Sequence, residues 1–186
     1  IFSIDDMREI KGLTGEYIIQ EKYDGLRVQV HKKGDKITIY SFSGRDITPK
    51  FPKCVKYLKE KDTNNFILDG EAVLYKDNEP LVRADTLAHI NKKVDSEEDI
   101  KIHVFDIMHY KDSSVAMEDR IKILIGEFSG LTNEVVLFPT KQNTREADSY
   151  DEIEEYAMEI MKNPTSEGVV IKDAKSSYVI GKKKNP

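Results

Sequence analysis

Lys22, Asp24, Gly25 and Arg27 fall within one short stretch, QEKYDGLRVQV (residues 20–30), where one apolar segment ends and another begins. A lysine at the end of a strand and directly before a turn projects its amine from a rigid edge. Such an amine attacks phosphorus only when neutral, and with a reference pKa near 10.4 only about one in a few thousand is neutral at pH 7. Nearby cations favour the neutral form, and Arg27 is placed to act in this way. Gly25 lacks a Cβ and lets backbone approach a ligand closely, while Asp24 can orient the lysine or cap the turn. The same residues also suit a plain hairpin turn with its charges in water.

A second group lies in FILDGEAVLY (66–75). A period of two puts Leu68, Ala72 and Leu74 on one face and Asp69, Glu71 and Val73 on the other, so two carboxylates leave an otherwise apolar strand together. A magnesium ion, a ribose hydroxyl or an arginine would compensate them, and a solvated sheet face would need no partner. In SEGVVIK (166–172), strict alternation separates Glu167 from Lys172; both reach one cleft only if Glu167 precedes the regular strand or a bulge intervenes. Phe105, in HVFDIMHY (103–110), suits either a core or a stacking surface for a base.

The elements that must position these residues are mostly strands. Residues 16–22 and 26–33 are β-rich, and Gly34-Asp35 forms a two-residue turn into 36–42, so the first strands pair antiparallel. Phe51, Cys54, Val55 and Leu58 recur at helical spacing. Strands follow at 66–75 and 101–110, helices at 117–128 and 148–162, and a last strand at 167–172 after the Asn163-Pro164 break. Strands outnumber helices and tight turns join the first of them, which predicts an α+β fold with antiparallel sheets.

Composition sets the outer bounds. A chain of 186 residues with 39% apolar and 34% charged residues suits one folded domain with a charged surface. Its formal charge of −5 excludes gripping nucleic acid by bulk charge alone, though a local basic patch is compatible. There is no apolar run long enough to span a bilayer and no leader-like start, so the chain reads as intracellular and without a membrane partner. Cys54 is the single cysteine and reads as a buried structural thiol. His31, His89, His103 and His109 lack metal-ligand spacing, and the acidic run Asp151–Glu155 reads as a solvated helix face.

In chain order, KYDGLR (22–27), LDGE (68–71), VFDI (104–107) and EGVVIK (167–172) resemble the motif series of the covalent nucleotidyltransferases, and most closely that of ATP-dependent DNA ligases. The resemblance runs from about Glu16 to Lys183, and RVQVHKKGDKITIYS and SYVIGKK are similar to archaeal and eukaryotic-type ligase text. It implies antiparallel sheets flanked by helices around a nucleotide cleft. Lys22 would take AMP from ATP as a phosphoramidate, with Mg2+ or Mn2+ as the metal. Arg27 would contact ribose or phosphate, Glu71 the ribose hydroxyls, and Phe105 would stack on adenine. Glu167, with Glu71, would place the metal; Lys172 would approach the α-phosphate, and Lys183 with Lys182 would form the family's basic pair.

Two departures bear on this. Gln20 stands where ligases usually carry a glutamate that reads adenine, with Glu21 displaced by one, and an amide can turn either its carbonyl or its amino group inward. Phe42, in YSFSGRDIT, stands at the position of a family arginine, with Arg45 further on. The resemblance also implies nicked double-stranded DNA as partner, a monomer, and further domains, an oligonucleotide-binding barrel and a DNA-binding domain, for which this chain has no room. The expectation is an adenylation domain spanning 1–186 that binds nucleotide and seals nicks poorly by itself. An RNA ligase, an mRNA-capping guanylyltransferase and a non-catalytic nucleotide-binding module are the alternatives.

Overall fold

The computed structural model describes residues 15–92, 99–110, 115–162 and 166–178. Lys182, Lys183 and the Asn163-Pro164 break lie outside the described residues. Two sheets organise the chain. The larger has strands β2 (Leu26–Lys33), β3 (Lys36–Ser41), β4 (Phe66–Lys76), β6 (Asp99–Tyr110) and β7 (Val136–Leu137) in the order β3-β2-β4-β6-β7, with the short β5 (Glu79–Pro80) folded back on β4. The smaller places β1 (Tyr17–Glu21) between β8 (Thr144–Ala147) and β9 (Val169–Asp173). All pairs are antiparallel except β6 with β7.

The turn expected at Gly34-Asp35 is present. Lys33 pairs with Lys36, and Gly34 has φ +55°, which glycine adopts without a Cβ penalty. Burial alternates along β2, where Leu26, Val28 and Val30 face the core. They meet α1 (Pro52–Lys59) through Cys54 and Leu58, and α3 (Met117–Ile123) through Met117 and Ile121, in one apolar cluster. Pro52 opens α1 at its first turn, where its missing N–H costs nothing. Cys54 is buried, and burial pushes its thiol up to about 12, as befits a structural cysteine. The helix expected over 117–128 instead passes from α3 into a π-helical turn, Leu124–Phe128, which keeps both Leu124 and Phe128 buried.

β1 serves two cores. Ile18 belongs to the large cluster, while Ile19 packs with Ile153, Tyr156 and Ala157 of α4 (Tyr150–Ile160). Both Ile18 and Ile19 are fully buried, so a slip of one residue in β1 would exchange the faces of Gln20 and Glu21. Several elements lie outside the sequence-based expectation, the two-residue strands β5 and β7 among them. α2 (Arg83–Asn91) and β8 carry few apolar residues at regular spacing, and they are held by tertiary contacts such as the bond from Leu74 N–H to the buried Thr86 hydroxyl, 3.1 Å.

Candidate active site

The turn between β1 and β2 opens onto a cavity of about 580 Å³ walled by both sheets. Lys22 sits at its rim. Its backbone N–H continues the β1–β9 ladder with a 2.9 Å bond to the Gly168 carbonyl, and its ammonium donates to the Glu167 carboxylate. Glu167 lies just before β9, and Gly168 has φ +125°. This is how Glu167 and Lys172 come to line one cleft: the glutamate stands outside the alternating strand. An ammonium has no lone pair, so this nitrogen becomes nucleophilic only after giving up a proton.

Gly25 is required by packing. A Cβ there would lie 2.2 Å from the Ala72 carbonyl oxygen and 2.9 Å from Val73 Cγ2, so the turn presses directly on β4. Opposite, β4 presents Asp69 and Glu71 to the cavity on one face, as the period of two predicts. Asp69 is fully buried and Arg27 compensates it, with Nε to Oδ1 at 3.0 Å and Nη2 to Oδ2 at 2.6 Å. Tyr178 completes the group: its hydroxyl donates to Asp69 Oδ2 at 2.7 Å and accepts from Arg27 Nη2 at 3.1 Å. Hydrogen bonding to Asp69 raises the Arg27 pKa further and locks its guanidinium plane. Burial pushes the Glu71 carboxyl up to about 7, opposed by Arg83, whose Nη1 lies 4.0 Å from Oε1, by Arg27, and by a hydrogen bond from the Gly25 backbone.

Phe105 owes its aim to irregular pairing. Asp69 pairs with Asp106 and Gly70 with Val104, so Phe105 is the extra residue of a bulge in β6. Its ring lines the cavity with Lys172 Nζ 4.8 Å and the Arg27 guanidinium 5.8 Å from the centroid. Beside it, Asp106 and Arg120 form a buried bidentate pair at 2.7 and 3.1 Å, and Arg120 also donates to the Val115 and Ser176 carbonyls. Lys172 Nζ donates to Gln20 Oε1 at 2.7 Å and to the Phe105 carbonyl at 3.3 Å, and burial lowers its pKa to about 8. The far side of Gln20, its Nε2, donates to Thr144 Oγ1 at 3.4 Å. Glu21 borders the same cavity; its carboxyl is bonded to the Tyr23 side chain, and burial raises its pKa.

The structure therefore brings together Gln20, Glu21, Lys22, Arg27, Glu71, Phe105, Glu167 and Lys172. Phe42 is exposed and stands over the Arg27 guanidinium, 5.5 Å from centroid to Cζ. Arg45 turns away to bond Asn91 Oδ1 at 3.2 Å, and neither residue lines the cavity. Sequence reasoning missed Arg83, Tyr178 and Asp106. Only Asp106 had a local signal, being a carboxylate inside a strand whose neighbours are apolar.

A match to the family model described as ATP dependent DNA ligase domain covers residues 3–186. This chain belongs to that family. Among curated relatives of this ligase-family chain, a DNA ligase of Methanococcus aeolicus is 32% identical over 171 residues, covering 87% of the chain and 30% of the relative. One from Methanosphaera stadtmanae is 28% identical over 189 residues, covering 97% and 32%. The chain thus spans about a third of the length of these relatives. Among solved structures, the ligase domain of M. tuberculosis LigD aligns with a TM-score of 0.66 at 21% identity, over 88% of the chain and 50% of that structure. The ATP complex of the bacteriophage T7 ATP-dependent DNA ligase aligns at 0.62 and 18%, over 98% and 64%. At such identities these two structures establish the shared fold. Among the described residues no helix is long and apolar enough to cross a membrane.

Proposed function

We propose that the chain is the adenylation domain of an ATP-dependent DNA ligase, in which Lys22 Nζ attacks the α-phosphorus of ATP. A P–N bond forms, the bond from the α-phosphorus to the bridging oxygen breaks, pyrophosphate leaves, and the amine gives up its proton to solvent. In the complete enzyme the AMP then passes to the 5′-phosphate of nicked duplex DNA and the nick is sealed. The observation that carries this reading is the placement of Lys22, bonded to Glu167, at the rim of a cavity of nucleotide size whose walls also hold Glu71, Phe105 and Lys172.

Nucleotide choice follows from hydrogen-bond inventory. An ammonium only donates, so the Gln20 carbonyl must face Lys172, and the Thr144 hydroxyl receives the amide N–H at the other end. The second lone pair of Gln20 Oε1 and a further N–H of Lys172 then stand side by side. Acceptor beside donor complements the adenine amino group and N1, and opposes guanine O6 and N1–H. These contacts support a base-edge role for Lys172 where the resemblance implies the α-phosphate. Glu71 supplies an acceptor for ribose hydroxyls, and Phe105 a stacking face.

Glu167 and Glu71 offer hard oxygen donors on the cavity wall. Two carboxylates together with the phosphate oxygens of a nucleotide would suit Mg2+, which keeps several of its waters. When bound there it would neutralise phosphate charge. Intact mass after incubation with ATP and Mg2+ tests the reading: a gain of one AMP is expected, absent from Lys22→Ala. No gain with ATP, or a gain only with GTP, overturns it.

A further inference from the structure

We propose that Arg83 is a positioning residue for lysine adenylation, clamping the nucleophile's turn to α2 and setting Glu71 against the ribose; this rests on the function proposed above. The clamp is reciprocal. Arg83 Nη1 donates to the Gly25 carbonyl at 2.7 Å, and the Arg83 backbone N–H donates to Asp24 Oδ2 at 3.0 Å. That N–H is one of the unpaired donors at the start of α2, so Asp24 caps a helix 59 residues away in sequence. α2 is itself fixed to β4 by the bond from Leu74 N–H to Thr86 Oγ1. Movement of Lys22 along its turn is thereby referred, through Arg83, to the strand that carries Glu71.

The other cavity cations are committed elsewhere. Arg27 is bound in fork geometry to Asp69, and Lys172 is bound to Gln20 and the Phe105 carbonyl. Arg83 is 58% exposed at its side chain, spends one N–H on Gly25, and stands 4.0 Å from Glu71 with donors to spare. A planar guanidinium can hold a carbonyl and a carboxylate at once, which a lysine ammonium on a flexible stem does less well. The clamp is built from α2, an element with no apolar periodicity in the sequence, and from a residue outside the four motifs.

The test measures labelling of Lys22 against ATP concentration for wild type, Arg83→Gln and Arg83→Lys, with 2′-deoxyATP in parallel. Arg83→Gln is expected to raise the half-saturating ATP concentration about tenfold, the worth of one charged hydrogen bond, and to narrow the preference for ATP over 2′-deoxyATP. Arg83→Lys should recover part of the ATP preference, which a merely structural residue would not do. Wild-type saturation and preference in Arg83→Gln overturn the proposal. If Arg83→Gln does not fold, Arg83→Lys alone decides: an ATP dependence equal to wild type overturns the clamp, and an intermediate one supports it. If wild type takes no label, the functional reading fails, and hydrogen exchange of residues 22–27 decides the clamp: faster exchange in Arg83→Lys supports it, unchanged exchange overturns it.

Discussion

Replacing Lys172 by methionine should make the protein more stable at neutral pH while removing its ability to take AMP. Lys172 is half-buried and its ammonium bonds two neutral carbonyls, Gln20 Oε1 and the Phe105 oxygen, with Asp106 and Asp69 only partly offsetting its lost hydration. Burial lowers its pKa from the ordinary 10.5 to about 8. A gap of roughly 2.5 pH units corresponds to ~3 kcal/mol against folding while the group is charged in both states. Methionine lifts that cost but forfeits two hydrogen bonds at about 1 kcal/mol each, leaving a gain of about 1 kcal/mol. Because the folded pKa lies below the unfolded one, the unfolded chain binds the extra proton between about pH 8 and 10.5, and wild-type stability rises with pH across that window. Above it the cost is gone and only the lost hydrogen bonds count against the variant. Urea denaturation of both proteins at pH 7 and pH 10.5 should therefore show their stability difference changing sign. A variant less stable than wild type at pH 7 by more than about 1 kcal/mol, or a difference independent of pH, would refute the reasoning.

Gly25→Ala should unfold at lower urea and lose labelling, by about 2 kcal/mol in stability, because its Cβ meets the Ala72 carbonyl and neither strand can yield without breaking pairing. An unchanged midpoint with normal labelling would show that the turn does not press on β4. Arg120→Met should cost about 3–5 kcal/mol in the same assay, since it leaves the buried Asp106 carboxylate without its guanidinium. Adding Asp106→Leu should return part of the loss, and no recovery would assign the effect to the Val115 and Ser176 carbonyls instead.

The two carboxylates of β4 were legible because a strand turns alternate side chains to the same face. The period of two put Asp69 and Glu71 on one face, and the structure keeps them there. Sequence alone left open what compensates Asp69, since the answer, Arg27 with Tyr178, joins residues up to 151 positions apart. It also left open whether Phe105 was core, because the bulge that re-aims it is a property of the β4–β6 register and carries no local signal. Arg83 was invisible for a related reason. α2 has little amphipathic pattern, and its place is set by Asp24 and Leu74 from other elements. The helix expected through residue 128 was right in its buried face but not in its hydrogen bonding, which widens to keep Leu124 and Phe128 inward.

Lys22 and the carboxylate that holds it are 145 residues apart, and the ladder from Lys22 N–H to Gly168 is among the contacts that bring them together. A ribosome therefore releases almost the whole span between them before the lysine has its partner. Closure over so long a loop is slow compared with hairpin formation in β2 and β3. During that interval the amine lacks its carboxylate at an unfinished strand edge, and the cleft is complete only when β9 arrives.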